Sequence, residues 1–571
     1  MSTVPPGPAM TATTPSLGVR QWHEDRSKGT IRIAWASAGG RGMPRTVILV
    51  PVVHDGAKWA RSPALIEKLR GDPHGTWSAL GRLAPRSVDV FREGDEDPTR
   101  DPAAPRAVSI RDDYGERWGA DHLLVLMIYD GPPAIGEQGD VRGLAAPDAA
   151  DDERKRGQEI EAVNRFFEKY DPRIVTRGLV RLPSRGRDKA SDTVVFALAS
   201  CQYPADLTDG APGDHGGPDA PASASLVRLS QLLAPNGPGE AQPESPSLLV
   251  LAGDQVYVDA TAGLFDARTR SDRLRLPYQN LMRSPGTQAV FGLLPVAMVL
   301  DDHELVDNWE PGVPMPPPTT KEQHMSEYRR FQRMAGPPLR NKRALWCDFA
   351  HSEVPFFLAD TRSERNAPGG ANRHVGNWLE ARIMGDDQWE ALQTFLVEHK
   401  EQVSFVVSPS MLLPRDLGLL REPSLALECD DWDGFPASRD ALLAFLCEHD
   451  MRRVVFLSGD AHTSCVAEAT VRSDGHEARL WSVHSSGLYC PYPFANGTQD
   501  NYACNEQFVF HVATEPRGPR RPYECDIRSL MWEPGDGFAT LALRRSGSGH
   551  QLDIRFHRAH PTEPVEVQIP G

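Results

Sequence analysis

Four short apolar runs of the sequence are each followed by side chains that bind metals or transfer protons. The runs are VVFALAS at 194–200, SLLVLAG at 247–253, PVAMVL at 295–300 and RRVVFLSG at 452–459. The side chains that follow them are Cys201, Asp254, Tyr257, Asp302, His303, Asp460 and His462. Continuous apolar runs predict strands buried on both faces, and ligands of α/β sheets collect beyond the carboxyl ends of such strands. Clustered carboxylates repel one another unless cations compensate them, so the pattern predicts a metal-binding crevice.

Each of these segments has a simpler explanation when it is taken alone. A Gly-Asp pair after a strand is common in turns, and a buried cysteine is usually inert packing. A single histidine at a strand end is more often structural than a metal ligand. The four segments occur together, each where a buried run ends, and this coincidence favours the metal site.

Helical patterns lie between the apolar runs and predict the elements that position them. Apolar residues recur at helical spacing in three segments, 226–233, 389–396 and 442–446. Helices interposed between buried strands indicate crossover connections, hence a largely parallel or mixed sheet. The chain closes with a predicted hairpin whose arms carry Leu541 and Leu543 on one side and Leu552, Ile554 and Phe556 on the other.

The first third has a different character and carries no chemical motif. Residues 1–28 are rich in Pro, Thr and Ser and are predicted to be disordered. Residues 29–188 are predicted to form a β-rich domain that ends in a helix over 160–170, and residues 189–571 form the domain that carries the chemistry.

Composition narrows the classes of function. The net charge of −16 argues against a general nucleic-acid or anionic-membrane surface. Eight cysteines without a CxxC pair indicate buried thiols, with neither a zinc ribbon nor a disulfide framework. The given chain shows no export signal and no apolar run long enough for a membrane span, so a cytoplasmic location is expected.

The same segments resemble the PhoD-like branch of the calcineurin-like metallophosphoesterases. The matching words are ASCQ at 199–202, GDQVYVD at 253–259, DDHE at 301–304 and SGDAH at 458–462. Further matching words are LADTRSE at 358–364, GDDQWEAL at 385–392, DWDGFPASR at 431–439 and HSSGLYCPYPFANG at 484–497. The resemblance implies an α/β (α+β) fold: a mixed β-sheet metallophosphoesterase sandwich flanked by helices and preceded by the smaller β-rich domain. Members of this branch are often exported, unlike the location expected above.

The resemblance also implies a set of metal ligands. Asp254 would bridge two metals, Cys201, Tyr257 and His462 would complete the first site, and Asp302 and Asp460 the second. The implied ions are iron, as Fe³⁺, and Ca²⁺, whereas the sequence itself does not separate these from Mn, Zn or Mg. Asn308 is either a further oxygen ligand or a loop residue that satisfies backbone groups. Asp259 orients Tyr257, contacts a metal or is a surface carboxylate.

The expected reaction is hydrolysis of a phosphomonoester or phosphodiester by a metal-activated hydroxide. His303 is the candidate acid for the leaving group, against a structural role beside the metals. Arg362 is the candidate for gripping phosphate oxygens, against an exposed arginine paired with Glu364. His484 is a candidate pocket residue. The expected substrate is a small-molecule or lipid phosphate ester, without a stable nucleic-acid partner. The alternative function is a non-catalytic protein that binds metal and a phosphoryl ligand on the same scaffold.

Overall fold

A computed structural model describes part of the first 181 residues and most of residues 193–570. In the first part it describes residues 18–25, 30–36, 46–55, 58–61, 82–83, 106–111, 122–128 and 175–181. In the second part the longer stretches outside the described residues are 204–220, 234–244, 260–269, 367–380, 416–428 and 491–498. The predicted helix over 160–170 also lies outside the described residues. No described helix is long and apolar enough to cross a membrane.

The described strands of the first third form two small antiparallel sheets. One has the order β1-β2-β6, and the other has the order β4-β3-β7-β8, with β5 paired to β3. Their bounds are β1 (Gly18–Asp25), β2 (Thr30–Ala36), β3 (Thr46–Asp55), β4 (Lys58–Arg61), β5 (Arg82–Leu83), β6 (Arg106–Arg111), β7 (His122–Ile128) and β8 (Val175–Arg181). The β-rich character of this region is confirmed, while the division at residues 188 and 189 stays a prediction.

The prediction of disorder for residues 1–28 is wrong for β1. Trp22 on this strand is 5% exposed, and its ring meets the Phe349 ring edge-on at 5.1 Å between centroids. It belongs to the same apolar core as the strands of the larger part of the chain. Burial of this indole stabilises the segment, and a composition averaged over 28 residues conceals such a short strand.

The larger part of the chain is built on two mixed sheets. The first has the order β11-β10-β9-β21-β22-β23, with β18 paired to β9, and the second has the order β12-β13-β14-β15-β17-β16-β20-β19. The strands of the first sheet are β9 (Thr193–Gln202), β10 (Leu249–Leu251), β11 (Val296–Met298), β18 (Gly487–Tyr489), β21 (Gly537–Ser546), β22 (Gly549–Arg558) and β23 (Val565–Pro570). Those of the second are β12 (Cys347–His351), β13 (Val354–Leu358), β14 (Ser404–Val407), β15 (Val454–Ser458), β16 (Thr463–Ser473), β17 (His476–His484), β19 (Glu506–Ala513) and β20 (Arg520–Pro534).

The two sheets pack face to face through an aromatic core. Phe196 of β9 lies 5.2 Å from Phe356 of β13 and 4.9 Å from Phe405 of β14, measured between ring centroids. The apolar cluster around them draws residues from both sheets, including Val250 and Leu457. Every residue of β10, β11, β13, β14 and β15 is buried, as the continuous apolar runs predict.

Helices cover the outer faces of the sandwich. α1 and α3 pack on the first sheet, and α5 and α6 pack on the second. The described helices are α1 (Pro221–Leu233), α2 (Arg270–Arg283), α3 (Pro285–Val290), α4 (Lys321–Tyr328), α5 (Asp386–Glu398), α6 (Pro436–Glu448) and α7 (Gln499–Tyr502). The three predicted helical segments are confirmed as α1, α5 and α6. The sandwich flanked by helices and the closing hairpin of β21 and β22 are confirmed as well.

Candidate metal centre

The four strand ends named by the sequence meet at one end of the sandwich. β9 delivers Cys201, β10 and β11 are followed by Asp254 and Asp302, and β15 is followed by Asp460. The first three strands run parallel to one another in the first sheet, whereas β15 belongs to the second sheet. The site therefore lies where the ends of both sheets face each other, and neither sheet supplies it alone.

The donor atoms lie close enough together to share cations. One carboxylate oxygen from each of four residues lies within 4.8 Å of the others; these residues are Asp254, Asp301, Asp302 and Asp460. Cys201 Sγ lies 3.7 Å from Asp254 Oδ2 and 3.5 Å from the carbonyl oxygen of Asp460. Tyr257 Oη lies 3.3 Å from His462 Nε2. The structure thus brings together all six residues expected to bind metal.

Three of these residues adopt a backbone conformation that side chains other than glycine rarely adopt. The φ angles are +40° at Cys201, +58° at Asp254 and +76° at Asp460. Such left-handed residues cost free energy and are common at functional sites, where the surrounding structure holds them. Here the left-handed turn at the end of each strand directs the side chain into the shared crevice.

Two glycines allow the strand ends to approach each other. A Cβ at Gly253 would lie 2.6 Å from Asp301 Cβ, and a Cβ at Gly459 would lie 2.4 Å from the Ala252 carbonyl oxygen. Gly459 would also bring its Cβ within 2.5 Å of Ser200 Cβ. The Gly-Asp pairs are therefore contact points between strand ends as well as turns.

Glu304 joins two of the ligand-bearing loops, a role that the sequence analysis did not assign. Its Oε1 accepts hydrogen bonds from the backbone amide of Gln255 at 2.8 Å and from the side chain of Gln332 at 2.9 Å. Its Oε2 accepts from the Asp301 amide at 2.9 Å. The carboxylate is fully buried, so these donors replace water around it. The glutamate of DDHE thus fixes the loop after β10 against the loop after β11.

Asp259 contacts His303 and not Tyr257. Its Oδ1 lies 2.9 Å from His303 Nδ1, and its Oδ2 accepts from the Asp307 amide at 2.6 Å. The His303 ring stacks on Tyr257 at 4.1 Å between centroids, and the His303 amide donates to Asp254 Oδ1 at 3.2 Å. His303 remains 21% exposed, so its imidazole is held on three sides and reaches the surface.

Burial and mutual repulsion disfavour ionisation of three of the six candidate ligands, Asp254, Cys201 and Tyr257. Burial raises the pKa of Asp254 well above its usual range, and Asp302 and Asp301 raise it further. Burial also raises the pKa of the Cys201 thiol to about 12 and raises the pKa of the Tyr257 phenol, the latter with a contribution from Cys201. A cation in the crevice would reverse these shifts, because it stabilises the ionised forms.

Asp302 and His303 form the exception to this trend. Burial opposes ionisation of Asp302, but Arg362, His303 and the Asn308 amide outweigh it and lower its pKa to about 2. Burial likewise opposes the charged form of His303, but Asp302 and Asp259 outweigh it and raise its pKa to about 10. The two groups therefore stabilise each other's charged forms, a protonated imidazole beside an ionised carboxylate.

Arg362 does not lie where the sequence analysis placed it. Its side chain is fully buried, and its Nε donates to Asp301 Oδ1. Its Nη2 lies 3.4 Å from Asp302 Oδ1 and 3.6 Å from Asp460 Oδ2. The guanidinium faces carboxylates, which does not support the expected grip on substrate phosphate. The alternative of an exposed arginine paired with Glu364 is wrong, because Arg362 has no exposed surface.

Asn308 and His484 take supporting positions. The side chain of Asn308 is exposed, and its backbone amide, at a φ of +54°, donates to Asp302 Oδ2 at 2.5 Å. His484 is fully buried and contacts the Ala461 carbonyl oxygen at 2.6 Å and Ser458 Oγ at 3.0 Å. It supports the loop between Asp460 and His462, and it does not line an open pocket.

Cys490 contacts the second ring nitrogen of His462 and was missed in the sequence. Its Sγ lies 2.9 Å from His462 Nδ1, on the other side of the ring from Tyr257. This thiol is the half-buried one among the described cysteines, none of which forms a disulfide with another described cysteine. Only its place in the matching word HSSGLYCPYPFANG connected it with the site.

The residues of the crevice fit metal ions. Asp302 Oδ1 is buried and accepts no hydrogen bond from the described residues, and its nearest cationic neighbour there is Arg362 Nη2 at 3.4 Å. A buried carboxylate oxygen in this state calls for a cation or a donor. Cys201 lies beside Asp254, and the carboxylates of Asp254, Asp302 and Asp460 lie within 4.8 Å of one another, so the crevice offers both sulfur and oxygen donors to a cation.

Comparisons with known proteins agree with this arrangement. Alkaline phosphatase D of Bacillus subtilis (strain 168) is 20% identical over 214 residues, which cover 35% of this chain and 36% of the relative. The chain thus matches about a third of that relative's length. A solved structure described as PhoD aligns over 98% of this chain and 90% of its own, with a TM-score of 0.53 and 14% identity, which shows a shared fold. The family model for PhoD-like phosphatases matches residues 239–518, a range that contains five of the six candidate ligands. Residues 239–518 of the chain thus resemble the PhoD-like phosphatases in sequence, and the chain shares the fold of PhoD.

Proposed function

We propose that this protein hydrolyses phosphate esters with the help of metal ions held in the crevice. The observation that carries the proposal is the convergence of Asp254, Asp302 and Asp460 within 4.8 Å, beside Cys201 and the Tyr257–His462 pair. Phosphoryl transfer requires clustered positive charge next to an attacking water. A crevice lined by potential cation ligands and the match of residues 239–518 to the PhoD-like phosphatase model both support that chemistry.

The donor types suggest how the crevice is divided between ions. Asp254 would be shared, the first position would be completed by Cys201, Tyr257 and His462, and the second by Asp302 and Asp460. Thiolate and phenolate are charged donors that suit ferric iron, whereas carboxylate oxygens suit Ca²⁺. When bound, such ions lower the pKa of the attacking water and offset charge on the phosphoryl oxygens.

His303 is the proposed proton donor to the leaving oxygen. Asp259 holds Nδ1 at 2.9 Å, which directs the other ring nitrogen, Nε2, away from this carboxylate. As the ester P–O bond breaks, the leaving oxygen takes the Nε2 proton and departs as an alcohol. The raised pKa of His303 keeps that proton available, and stacking on Tyr257 fixes the plane of the ring.

The proposed substrate is a small-molecule or lipid phosphate ester, and both monoesters and diesters are candidates. The crevice recognises the phosphoryl group, and several loops around it lie outside the described residues. p-Nitrophenyl phosphate and bis-p-nitrophenyl phosphate would separate the two ester classes. The second candidate function is a metal- and phosphoryl-binding protein without turnover, and Cys201 and Tyr257 at the first position are compatible with it. Bound metal without hydrolysis of either ester would favour this alternative.

Asp254→Asn tests the proposed function. We expect the protein to lose metal and turnover together, with turnover falling about 100-fold or more, because a shared ligand supports several kcal/mol of charge stabilisation. Elemental analysis and hydrolysis of the two p-nitrophenyl esters are the measurements. Asp474→Asn is the matched control, since Asp474 also has a positive φ, of +46°, but lies past the far end of β16. Full metal content and full turnover in Asp254→Asn would contradict the proposal.

A further inference from the structure

The Arg362 guanidinium lies beside the carboxylate cluster and faces residues that follow strands of both sheets. Arg362 follows β13 of the second sheet, and its carboxylate neighbours Asp301 and Asp302 follow β11 of the first. Its third carboxylate neighbour, Asp460, follows β15 of the second sheet. A fully buried guanidinium in this place is a fixed positive charge shared by three loops.

The three contacts are unequal. The Nε–Asp301 contact is a direct charge-assisted hydrogen bond, and both groups have no exposed surface. The Nη2 separations of 3.4 Å to Asp302 and 3.6 Å to Asp460 exceed the usual length of such a bond. Asp301 therefore receives the direct hydrogen bond through Oδ1, whereas Arg362 Nη2 faces Asp302 Oδ1 and Asp460 Oδ2 at longer distances that suit electrostatic attraction.

We propose that Arg362 is a positioning residue that takes Asp301 as its own partner and holds Asp302 and Asp460 ready for metal. Asp301 is accordingly excluded from the ligand set, although its oxygen lies within 4.8 Å of the other three. The fixed cation reduces repulsion among the carboxylates before metal arrives, so the crevice is formed in advance. The inference rests on the proposed metal-dependent function and assigns different roles to the carboxylates: Asp301 pairs with Arg362, whereas Asp302 and Asp460 bind metal.

The test compares Mn²⁺ affinity among variants, with free Mn²⁺ counted by electron paramagnetic resonance. Arg362→Lys keeps the charge but replaces the planar fork with a single ammonium, which cannot serve three carboxylates in the same geometry. We expect it to fold and to bind Mn²⁺ about 10- to 100-fold more weakly, the range seen when a residue that orients metal ligands is changed. Arg365→Lys is the matched control, because this buried guanidinium on the same segment donates to the Thr361 carbonyl and to Ser410 Oγ.

A double variant tests whether Arg362 positions Asp302 and Asp460 or only neutralises the charge of Asp301. Asp301→Asn combined with Arg362→Gln removes one charge of each sign and leaves no buried unpaired ion at these two positions. We expect circular dichroism to report a folded protein whose Mn²⁺ affinity stays reduced, because Asp302 and Asp460 have lost their shared partner. Wild-type Mn²⁺ affinity in Arg362→Lys or in the double variant would overturn the inference.

The wild-type protein distinguishes this failure from failure of the proposed function. If the wild type binds Mn²⁺ and hydrolyses either p-nitrophenyl ester while both variants bind normally, only the role of Arg362 is refuted. If the wild type neither binds Mn²⁺ nor hydrolyses either ester, the proposed function and the inference fall together.

Discussion

At the scale of single residues, the His303 environment separates proton transfer from metal binding. His303 is next to Asp302 in the chain, but its imidazole is held by Asp259 and Tyr257. Asp259 contacts the His303 ring and the Asp307 amide, neither of which is a candidate metal ligand, so this carboxylate provides a way to perturb the proposed proton donor alone. The contacts with Asp259 therefore make the proposed acid role of His303 testable at a second residue.

We expect Asp259→Asn to retain metal and to lose turnover chiefly on esters with poor leaving groups. Removing the carboxylate removes one of the two main influences that raise the His303 pKa and loosens the ring. Acid catalysis contributes about 10²- to 10⁴-fold, so an alkyl phosphate should lose most of that factor, and p-nitrophenyl phosphate much less. The measurement is the ratio of kcat values for the two esters. His303→Ala should show the same ratio, and equal losses on both esters would refute the acid role.

The residues predicted from the sequence are those whose position depends on a single strand. Cys201, Asp254 and Asp460 each lie directly after an apolar run, so a buried strand followed by a donor locates them. Arg362 and Glu304 could not be placed in this way, because their roles depend on which loops meet in three dimensions. The sequence around Arg362, DTRSE, is compatible with an exposed or a buried arginine. Only the contact with Asp301 in the folded chain decides between the two positions.

At the scale of elements, the contact between β9, β10 and β15 holds the crevice together. Gly459 has room for no side chain, because the Ala252 carbonyl oxygen and Ser200 Cβ occupy the place of its Cβ. These neighbours are backbone and a short side chain, which have little freedom to move. The closest approach of the two sheets at the site therefore depends on this glycine.

Gly459→Ala should reduce stability and metal retention together. Steric overlap of this kind typically costs about 1–3 kcal/mol, and here it would push Asp460 away from Asp254. Urea unfolding and elemental analysis are the measurements. Gly475→Ala is the control, because Gly475 has a φ of +86° but no heavy atom within 4 Å of its Cβ position. The control should lose some stability and keep its metal, and full metal retention in Gly459→Ala would contradict the role assigned to this contact.

Several strands could be predicted from the sequence, but their order within the two sheets could not. The continuous apolar runs in the sequence identified β9, β10, β11 and β15, but such runs contain no information on which strands pair with each other. β9 pairs with β21, more than 330 residues later, and β15 belongs to the other sheet. Such long-range pairing depends on the fit between distant apolar faces, so the sequence predicted a mixed sheet without its topology.

At the scale of the whole molecule, a half-buried neutral histidine, His557, makes stability depend on pH away from the crevice. Burial lowers the pKa of His557 to about 4, and Arg228 and Arg555 lower it further. Its Nε2 lies 2.8 Å from Thr540 Oγ1, and its ring stacks on Phe538. The unfolded chain binds a proton near pH 6.5, so the stability contributed by the neutral ring is full above that pH and is lost as pH falls toward 4.

His557→Gln should therefore flatten the fall in unfolding free energy between pH 6.5 and 4. The expected change is the uptake of one proton fewer on unfolding within this range. Urea titrations of metal-depleted protein at several pH values are the measurement, since depletion removes the separate effect of acid on metal ligands. Parallel curves for wild type and variant over this range would contradict the assignment.

The division of the crevice between two sheets makes the hydrophobic interior part of its chemistry. Asp254 and Asp302 follow strands of one sheet and Asp460 follows a strand of the other, so the spacing of the carboxylates depends on how the two sheets pack. Phe196, Phe356 and Phe405 are in contact across that packing interface. Substitutions at these aromatic rings would alter the distance between the carboxylates of the two sheets, so evolution could tune the size of the crevice without touching a candidate ligand.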